Sequence, residues 1–286
     1  MRRINRTRTP SRDLEGRAAS DALQARWKRL HEGDREAYPD APEVSRWAKT
    51  QALFASWVEA HGGAQVLAEG VQRAWREFHA GKFRRAIEVG GKMGALGATA
   101  ANKAAAIYSV YEGRTEAGTS RLLQAAVTRA EQAVELLPDY ANAHYTLALA
   151  QGRYSQRISI VQALANGLAT QVRSALDRTL KLEPRHAEAH IALGLFHAEI
   201  LGKLGSLVAR LTYQVSQDAA IEHFRRAIKL APRSPIARME YAHGLLLLDA
   251  VAHREQAREL YAQAAACEPA DATERLDVER AKRGLP

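Results

Sequence analysis

Four similar phrases of the sequence each end in a proline, namely Pro138, Pro184, Pro232 and Pro269. The clearest phrase carries Ala220, Phe224 and Ala227 ahead of its proline. Small residues seven apart lie on one face of a helix and let a second helix approach closely, while the larger residue between them fills the groove. Because proline then ends the helix, each phrase predicts one closely packed helix with a defined stop.

A second helical phrase follows each of the first three prolines: "ANAHYTLALAQG", "AEAHIALGLFHAE" and "IARMEYAHGLLLL". The alternation of two helical phrases resembles the tetratricopeptide repeat, whose signature is Trp-x2-Leu-Gly-x2-Tyr, then Ala-x3-Phe, then Pro. In that register Leu193 and Gly194 match the leucine and the glycine, while His190 and His197 take the tryptophan and tyrosine positions. The resemblance implies an all-α fold, a right-handed α-solenoid with helical insertions and terminal capping helices.

Two further helix pairs can be read before the prolines begin, in "AWREFHAGKFRRAIEVGGKMG" and "NKAAAIYSVYEG". About five pairs are therefore expected in all. The predicted organisation is a basic disordered tail, an amino-terminal helical cap rich in tryptophan, the solenoid and a carboxyl-terminal capping helix. These segments cover residues 1–15, 16–62, 63–269 and 270–286.

The spacing of the prolines departs from the standard repeat of about 34 residues. Pro138 and Pro184 are 46 residues apart, and Pro184 and Pro232 are 48 apart. The additional residues fall near 153–170 and 200–216, where apolar residues recur at helical spacing. We expect two inserted or lengthened helices there rather than irregular loops.

Three histidines lie close together in "HAEAHIALGLFHAE", at His186, His190 and His197. A zinc-protease motif needs His-Glu adjacent and a second His three residues further on, and this order is absent. Since histidines recur here at structural positions of a repeat, we interpret His190 and His197 as packing residues, with a metal or proton-sensing role as the alternative. His186 is expected to be exposed in the turn after Pro184.

The insertion-bearing repeats are similar to two groups of tetratricopeptide proteins. One is the TRAP-transporter-associated proteins, which are exported and have a ligand-sized cavity. The other is the regulator-of-microtubule-dynamics family, whose carboxyl-terminal helical domain has comparable phrases. The shared phrases cover roughly residues 130–269, and they bear on the fold more than on the function.

The first helices of the pairs are expected to line a concave groove, which is apolar from Tyr145 to Leu246. No inward lysine is predicted there, so a site that clamps a carboxylate is not expected. The inserted helices, an apolar segment of a partner or second subunit, or a small hydrophobic ligand are the three candidates for covering the groove. The candidate groove residues are Asn102, Ser109, Asn142, Tyr145, Leu149, Glu188, Ile191, Leu195, Met239, His243 and Leu246.

No nucleophile, base or carboxylate pair stands at a catalytic spacing, and no cofactor or metal site is predicted. The sequence therefore favours a non-catalytic scaffold that binds a protein or peptide, or another copy of itself, through the groove. The alternative is binding or carriage of a hydrophobic small molecule. Nucleic acid is not an expected partner, because no aromatic residues interleave the basic tail. Without an export signal or membrane-spanning segment, the expected location is cytoplasmic.

Overall fold

The computed structural model describes residues 12–113 and 115–284, which form sixteen α-helices and no strand. The predicted all-α fold is confirmed. The helices are α1 (Arg12–Leu30), α2 (Ala41–Thr50), α3 (Ala52–Ala60), α4 (Gly63–His79), α5 (Phe83–Lys92), α6 (Gly94–Tyr111), α7 (Glu116–Leu136), α8 (Ala141–Ser155), α9 (Ile160–Ala165), α10 (Leu168–Leu182), α11 (Ala187–Leu204), α12 (Ser206–Tyr213), α13 (Gln217–Leu230), α14 (Pro235–Asp249), α15 (Arg254–Ala265) and α16 (Ala272–Arg283).

Five antiparallel pairs make up the stack: α4 with α5, α6 with α7, α8 with α10, α11 with α13, and α14 with α15. The second helix of each pair also packs on the first helix of the next pair. The predicted α-solenoid of five helix pairs is therefore confirmed. Among the described residues, no helix combines the length and the apolar character that crossing a membrane requires.

The phrase that ends at Pro232 shows why the repeat needs its small residues. The ring of Phe224 on α13 is fully buried between Gly194 on α11 and Gly244 on α14. A Cβ atom would lie 2.7 Å from that ring at Gly194 and 2.5 Å from it at Gly244. Both positions must therefore lack a side chain, because the helices approach too closely to admit one.

The two lengthened repeats contain extra helices. The six-residue helix α9 lies between α8 and α10, and α12 follows the long helix α11. Gly205, with φ of 75°, forms the turn between α11 and α12, a backbone conformation that favours glycine. Both insertions come between the two helices of a pair, which leaves the pairing of the stack intact.

The amino-terminal helices take two different positions. Helices α2 and α3 pack on α4 at the beginning of the stack. Helix α1 begins at Arg12, so residues 12–15, which the sequence analysis assigned to a disordered tail, are helical. They continue a segment rich in the helix-favouring residues Arg, Leu, Glu and Ala. The remainder of the basic tail, residues 1–11, lies outside the described residues.

The two ends of the stack are joined to each other. Helix α16 contacts α4, and the His79 ring nitrogen Nδ1 lies 2.6 Å from a carboxylate oxygen of Asp271. Helix α1 reinforces the junction, because its Arg29 forms two hydrogen bonds of 2.8 and 2.7 Å with the carboxylate of Glu274. The loop that follows α1 then enters the concave face of the stack.

Candidate functional site on the concave face

The concave face is formed by the first helices of the pairs, α4, α6, α8, α11 and α14. Consecutive first helices pack directly on one another from α4 to α8 and from α11 to α14. Helices α8 and α11, in contrast, are held apart along most of their length. The resulting gap has two halves with different chemistry, one filled by the chain itself and one open.

The first half of the gap is occupied by residues 31–38, here called the inner segment. The backbone N–H of Glu188 donates to the Gly33 carbonyl oxygen at 3.1 Å. The side-chain amide of Asn142 donates to the Asp34 carbonyl oxygen at 3.0 Å. Because these bonds come from both α8 and α11, the inner segment fills the space between the two helices.

Lys103 on α6 fixes the inner segment electrostatically. Its ammonium group lies 2.7 Å from the carboxylate of Asp34 and 2.9 Å from that of Glu188, and its side chain is only 12 % exposed. Burial opposes the charge, but the two carboxylates raise the pKa of Lys103 above its usual value. The expectation that no lysine faces inward is therefore wrong, because the inward position on α6 belongs to Lys103.

Glu36 is a second carboxyl group of the inner segment, and it is buried beside Asp34. Burial and the neighbouring negative charge of Asp34 raise the pKa of Glu36 to about 8. The Asn142 side-chain amide donates to its Oε2 at 2.6 Å, and the backbone oxygen accepts from the Trp27 indole at 2.8 Å. At neutral pH Glu36 is therefore mainly protonated, which avoids a second buried negative charge.

His186 is fully buried rather than exposed as the sequence suggested. Its Nδ1 accepts the backbone N–H of Ala189, so the ring caps the amino terminus of α11. Its Nε2 therefore donates to Asn142 Oδ1, 2.8 Å away. Burial, with the nearby charge of Lys103, lowers the pKa of His186 to about 3, so the imidazole is neutral. Because the inner segment fills the gap around this capping ring, the ring is shielded from water.

His190 and His197 have the contacts of packing residues. Nδ1 of His190 lies 2.9 Å from Nδ1 of His223, and Nδ1 of His197 accepts the backbone N–H of Ser216 at 3.1 Å. Burial and the charge of Arg173 lower the pKa of His197 to about 4. Within the described ranges, no three His, Cys, Asp or Glu side chains are grouped as metal ligands.

A chain of polar groups connects the inner segment to both ends of the stack. His31 Nδ1 lies 2.9 Å from Asp34, and its Nε2 lies 3.2 Å from Nε2 of His79. His79 in turn pairs with Asp271 at the start of α16. The inner segment is therefore held by α4 and α16 as well as by α6, α8 and α11.

The second half of the gap is an open cavity of about 460 Å³ between α8, α10 and α11. Its wall is mainly apolar, and includes Leu149, Leu168, Val172, Leu195, Phe196 and Ile200. Charged groups lie around it: Arg153, Glu199, Lys203, Glu240 and Arg280. Lys203 pairs with Glu199 at 2.8 Å, whereas the Nε of Arg153 is buried without a hydrogen-bond partner in the described part of the chain.

The predicted groove residues fall into three groups. Asn142, Tyr145 and Glu188 lie at the inner segment, and Leu149, Leu195 and His243 line the cavity. The remaining residues do not line this cavity. Two of them form hydrogen bonds with backbone oxygens: the Asn102 amide donates to Ala126, and the Ser109 hydroxyl donates to Ala106 within α6. The other three pack between helices. Ile191 packs on Ala227 and Ala237, Met239 packs on Ala264 and Ala281, and Leu246 packs in the cluster around Phe224.

The different positions of these residues have a geometric cause. A first helix of this stack is covered on more than one side, by its own partner and by the neighbouring pairs. A repeat register places a residue on the first helix, but a shift of one position turns it by about 100° from the groove toward a neighbouring helix. Lys103, next to the predicted Asn102, shows the effect of such a shift.

The fold and its signature residues define a tetratricopeptide-like helical-repeat protein. A crystal structure of TTC0263, a thermophilic TPR protein in Thermus thermophilus, matches with a TM-score of 0.56 and 17 % sequence identity. The match covers 76 % of this chain and 99 % of that chain. At this identity the likeness concerns the fold alone.

The family is more specific than the fold. The model of the family described as Regulator of microtubule dynamics protein 1-3 matches residues 98–285, which is more than half of the chain. The chain belongs to this family, and the resemblance noted in the sequence is confirmed. The search of curated proteins finds no match.

Proposed function

We propose that this protein is a non-catalytic binding module that holds a hydrophobic small molecule in the open half of its concave face. Helical-repeat scaffolds of this kind commonly bind other proteins. The observation that favours a small molecule is the cavity of about 460 Å³ beside a groove that the chain has already filled in its other half.

The inner segment limits what the concave face can accept. A partner helix or extended peptide needs a continuous track across several first helices. Here that track is interrupted at Asn142 and Glu188, which are engaged by the chain itself. The remaining cavity has the size and the largely apolar wall of small-molecule sites, which range from about 300 to 1,000 Å³.

The charged groups at the cavity suggest how a ligand is oriented. Arg153 has an unused buried donor, and burying a donor without a partner is costly. A ligand with an apolar body and one hydrogen-bond acceptor would satisfy both the wall and this donor. The proposed ligand is therefore amphiphilic rather than purely hydrocarbon.

A protein partner is the second candidate. The cavity is open to the surface, and Leu149 and Leu195 are half-buried rather than sealed. One or two apolar side chains from a partner, or from a second copy, could enter it. Such an interaction would use the mouth of the cavity and not the length of the groove.

Fluorescence titration with the apolar probe N-phenyl-1-naphthylamine tests the proposal. We expect saturable binding by the unmodified protein and its loss in Ala192→Trp, since Ala192 lies in the cavity wall. Ala262→Trp, the same change at an exposed position of α15, is the control and should bind normally. Unchanged binding in Ala192→Trp, or no binding by the unmodified protein, would contradict the proposed site.

A further inference from the structure

Helix α12 carries an apolar face that nothing in the described chain covers. Leu207, Val208 and Leu211 are 72 %, 51 % and 78 % exposed. They lie on one side of the helix, because Leu211 is four residues from Leu207 and three from Val208, and residues three or four apart share a helical face. Ala209 is buried against Phe196 and Val215 and holds the helix to the stack. The exposed face is therefore presented on an anchored helix.

The segment that contains α12 carries basic residues and no acid, although Glu199, which precedes it, pairs with Lys203. Residues 200–217 contain no Asp or Glu, although the chain has 32 acidic residues, and they include the exposed Lys203 and Arg210. Residues 140–176 contain no acid either, and they carry Arg153, Arg157 and Arg173. Both insertions are thus basic and acid-free, in contrast to the mixed charges of the other helices.

The two insertions meet at one edge of the molecule. Arg153, Ile158 and Ala163 of the first insertion line the cavity together with Lys203 and Leu204 of the second. The two insertions therefore adjoin each other at the cavity. We call the exposed surface of the second insertion the insertion face, and it comprises Lys203, Leu207, Val208, Arg210 and Leu211.

We infer that the insertion face docks peripherally on an anionic lipid bilayer. A helix with exposed leucines and flanking Lys and Arg can lie in the plane of the bilayer surface, with its apolar face among the acyl chains. Lys and Arg are attracted to acidic headgroups at the same time. A bilayer therefore satisfies both properties of the insertion face together.

A second copy of the chain fits this face less well. Symmetric pairing through α12 would place Arg210 of both copies at one interface, with no acid in residues 200–217 to compensate. A standard protein interface also buries about 800 Å² on each partner. Three aliphatic side chains on a helix of eight residues provide only a small part of that area.

The inference does not rest on the occupant of the cavity. The apolar side chains that would enter the bilayer, Leu207, Val208 and Leu211, are exposed and do not line the cavity, so docking needs no ligand inside. Loss of probe binding in the cavity would leave vesicle binding unaffected, and the reverse also holds. The two proposals can therefore fail separately.

The test is co-sedimentation of the full chain with vesicles of phosphatidylcholine alone or with about 30 % phosphatidylserine. We expect binding to the anionic vesicles, weakened at least tenfold in the double variant Leu207→Glu with Leu211→Glu. Lys203→Gln and Arg210→Gln should each weaken it about fivefold. The matched control, Leu53→Glu with Val251→Glu, changes equally exposed apolar residues outside the insertion face and should bind normally.

Two results would overturn the inference. One is the absence of binding to anionic vesicles, or an equal loss in both double variants. The other is a concentration-dependent dimer, seen by light scattering and abolished by Leu207→Glu with Leu211→Glu, in a protein that ignores vesicles. That result would assign the insertion face to a second copy.

Discussion

The two halves of the gap between α8 and α11 differ in polarity and in what fills them. The half at Asn142 and Glu188 is polar, and the inner segment occupies it with hydrogen bonds and the buried charge of Lys103. The half at Leu149 and Leu195 is apolar and contains a cavity of about 460 Å³. Buried polar groups need defined partners, whereas an apolar wall accepts many shapes.

This difference explains how the helix stack can be rigid and still contain an open cavity. The filled half connects α6, α8 and α11 with the junction of α4 and α16, so it maintains the spacing of the helices. The open half uses that fixed spacing to keep a cavity. Substitutions in the filled half and at the corresponding place in the open half should therefore differ in effect, most strongly at the two lysines.

The two lysines at the gap should differ most in their contribution to stability. Lys103→Met leaves the buried carboxylate of Asp34 with His31 as its remaining partner and also removes the cation that pairs with Glu188, so we expect a loss of about 3 to 5 kcal/mol in the free energy of unfolding. Lys203→Met removes an ion pair whose lysine is 52 % exposed, and should cost about 1 kcal/mol or less. Urea denaturation of both variants measures the difference.

The double variant Lys103→Met with Asp34→Asn is the control for this comparison. Because it removes both charges, it should be more stable than Lys103→Met alone. Equal stability of Lys103→Met and Lys203→Met would mean that the inner segment is not held by a buried charge.

Two leucines of α11 provide a second comparison. Leu193 is fully buried against Tyr145, Ala148 and Leu176, so Leu193→Ala should cost about 2 to 5 kcal/mol. Leu195 faces the cavity and already lacks neighbours on one side, so Leu195→Ala should cost about half as much. Thermal unfolding of the two variants compares them directly, and a larger loss in Leu195→Ala would show that the cavity is closed in solution.

The helix pairs could be predicted from the sequence because the residues that define them are close together in the chain. The prolines end the helices, and Gly194 and Phe224 occupy the expected repeat positions. The position of the inner segment could not be predicted, because its contacts join residues that are far apart in the sequence, such as Asp34 with Lys103 and with Asn142. Residues 31–38 also have no periodicity that predicts where they bind. The burial of His186 depends on this segment and was missed for the same reason.

The pH dependence of stability should reveal the protonated Glu36 of the filled half. Because its pKa is raised from 4.5 to about 8, the folded protein binds a proton that the unfolded chain releases between these values. Stability should therefore fall as the pH rises through this window, by up to about 1.4 kcal/mol per pH unit. Glu36→Gln replaces the carboxyl group with an amide that does not titrate, so stability should depend less on pH in this variant.

The buried histidines limit the pH range in which the effect of Glu36 on stability can be measured. The lowered pKa of His186 gives the opposite slope, since the unfolded chain binds a proton below about 6.5 that the folded protein does not. Burial also raises the pKa of Asp277, which gives a slope of the same sign as Glu36, so the difference between Glu36→Gln and the unmodified protein between pH 6.5 and 8 isolates Glu36. A slope that is the same in Glu36→Gln and in the unmodified protein would contradict the assignment.

The most direct test of the central claim is a disulfide between the inner segment and α11. A Cβ atom at Gly33 would lie 3.2 Å from Cγ of Glu188, close to the geometry of a disulfide. In a Cys267→Ser background, Gly33→Cys with Glu188→Cys should oxidise to one intramolecular disulfide and still bind the apolar probe. Gly33→Cys with Leu195→Cys, two turns further along α11, should not. The absence of the first disulfide, or equal formation of both, would contradict a concave face that the chain itself fills in one half only.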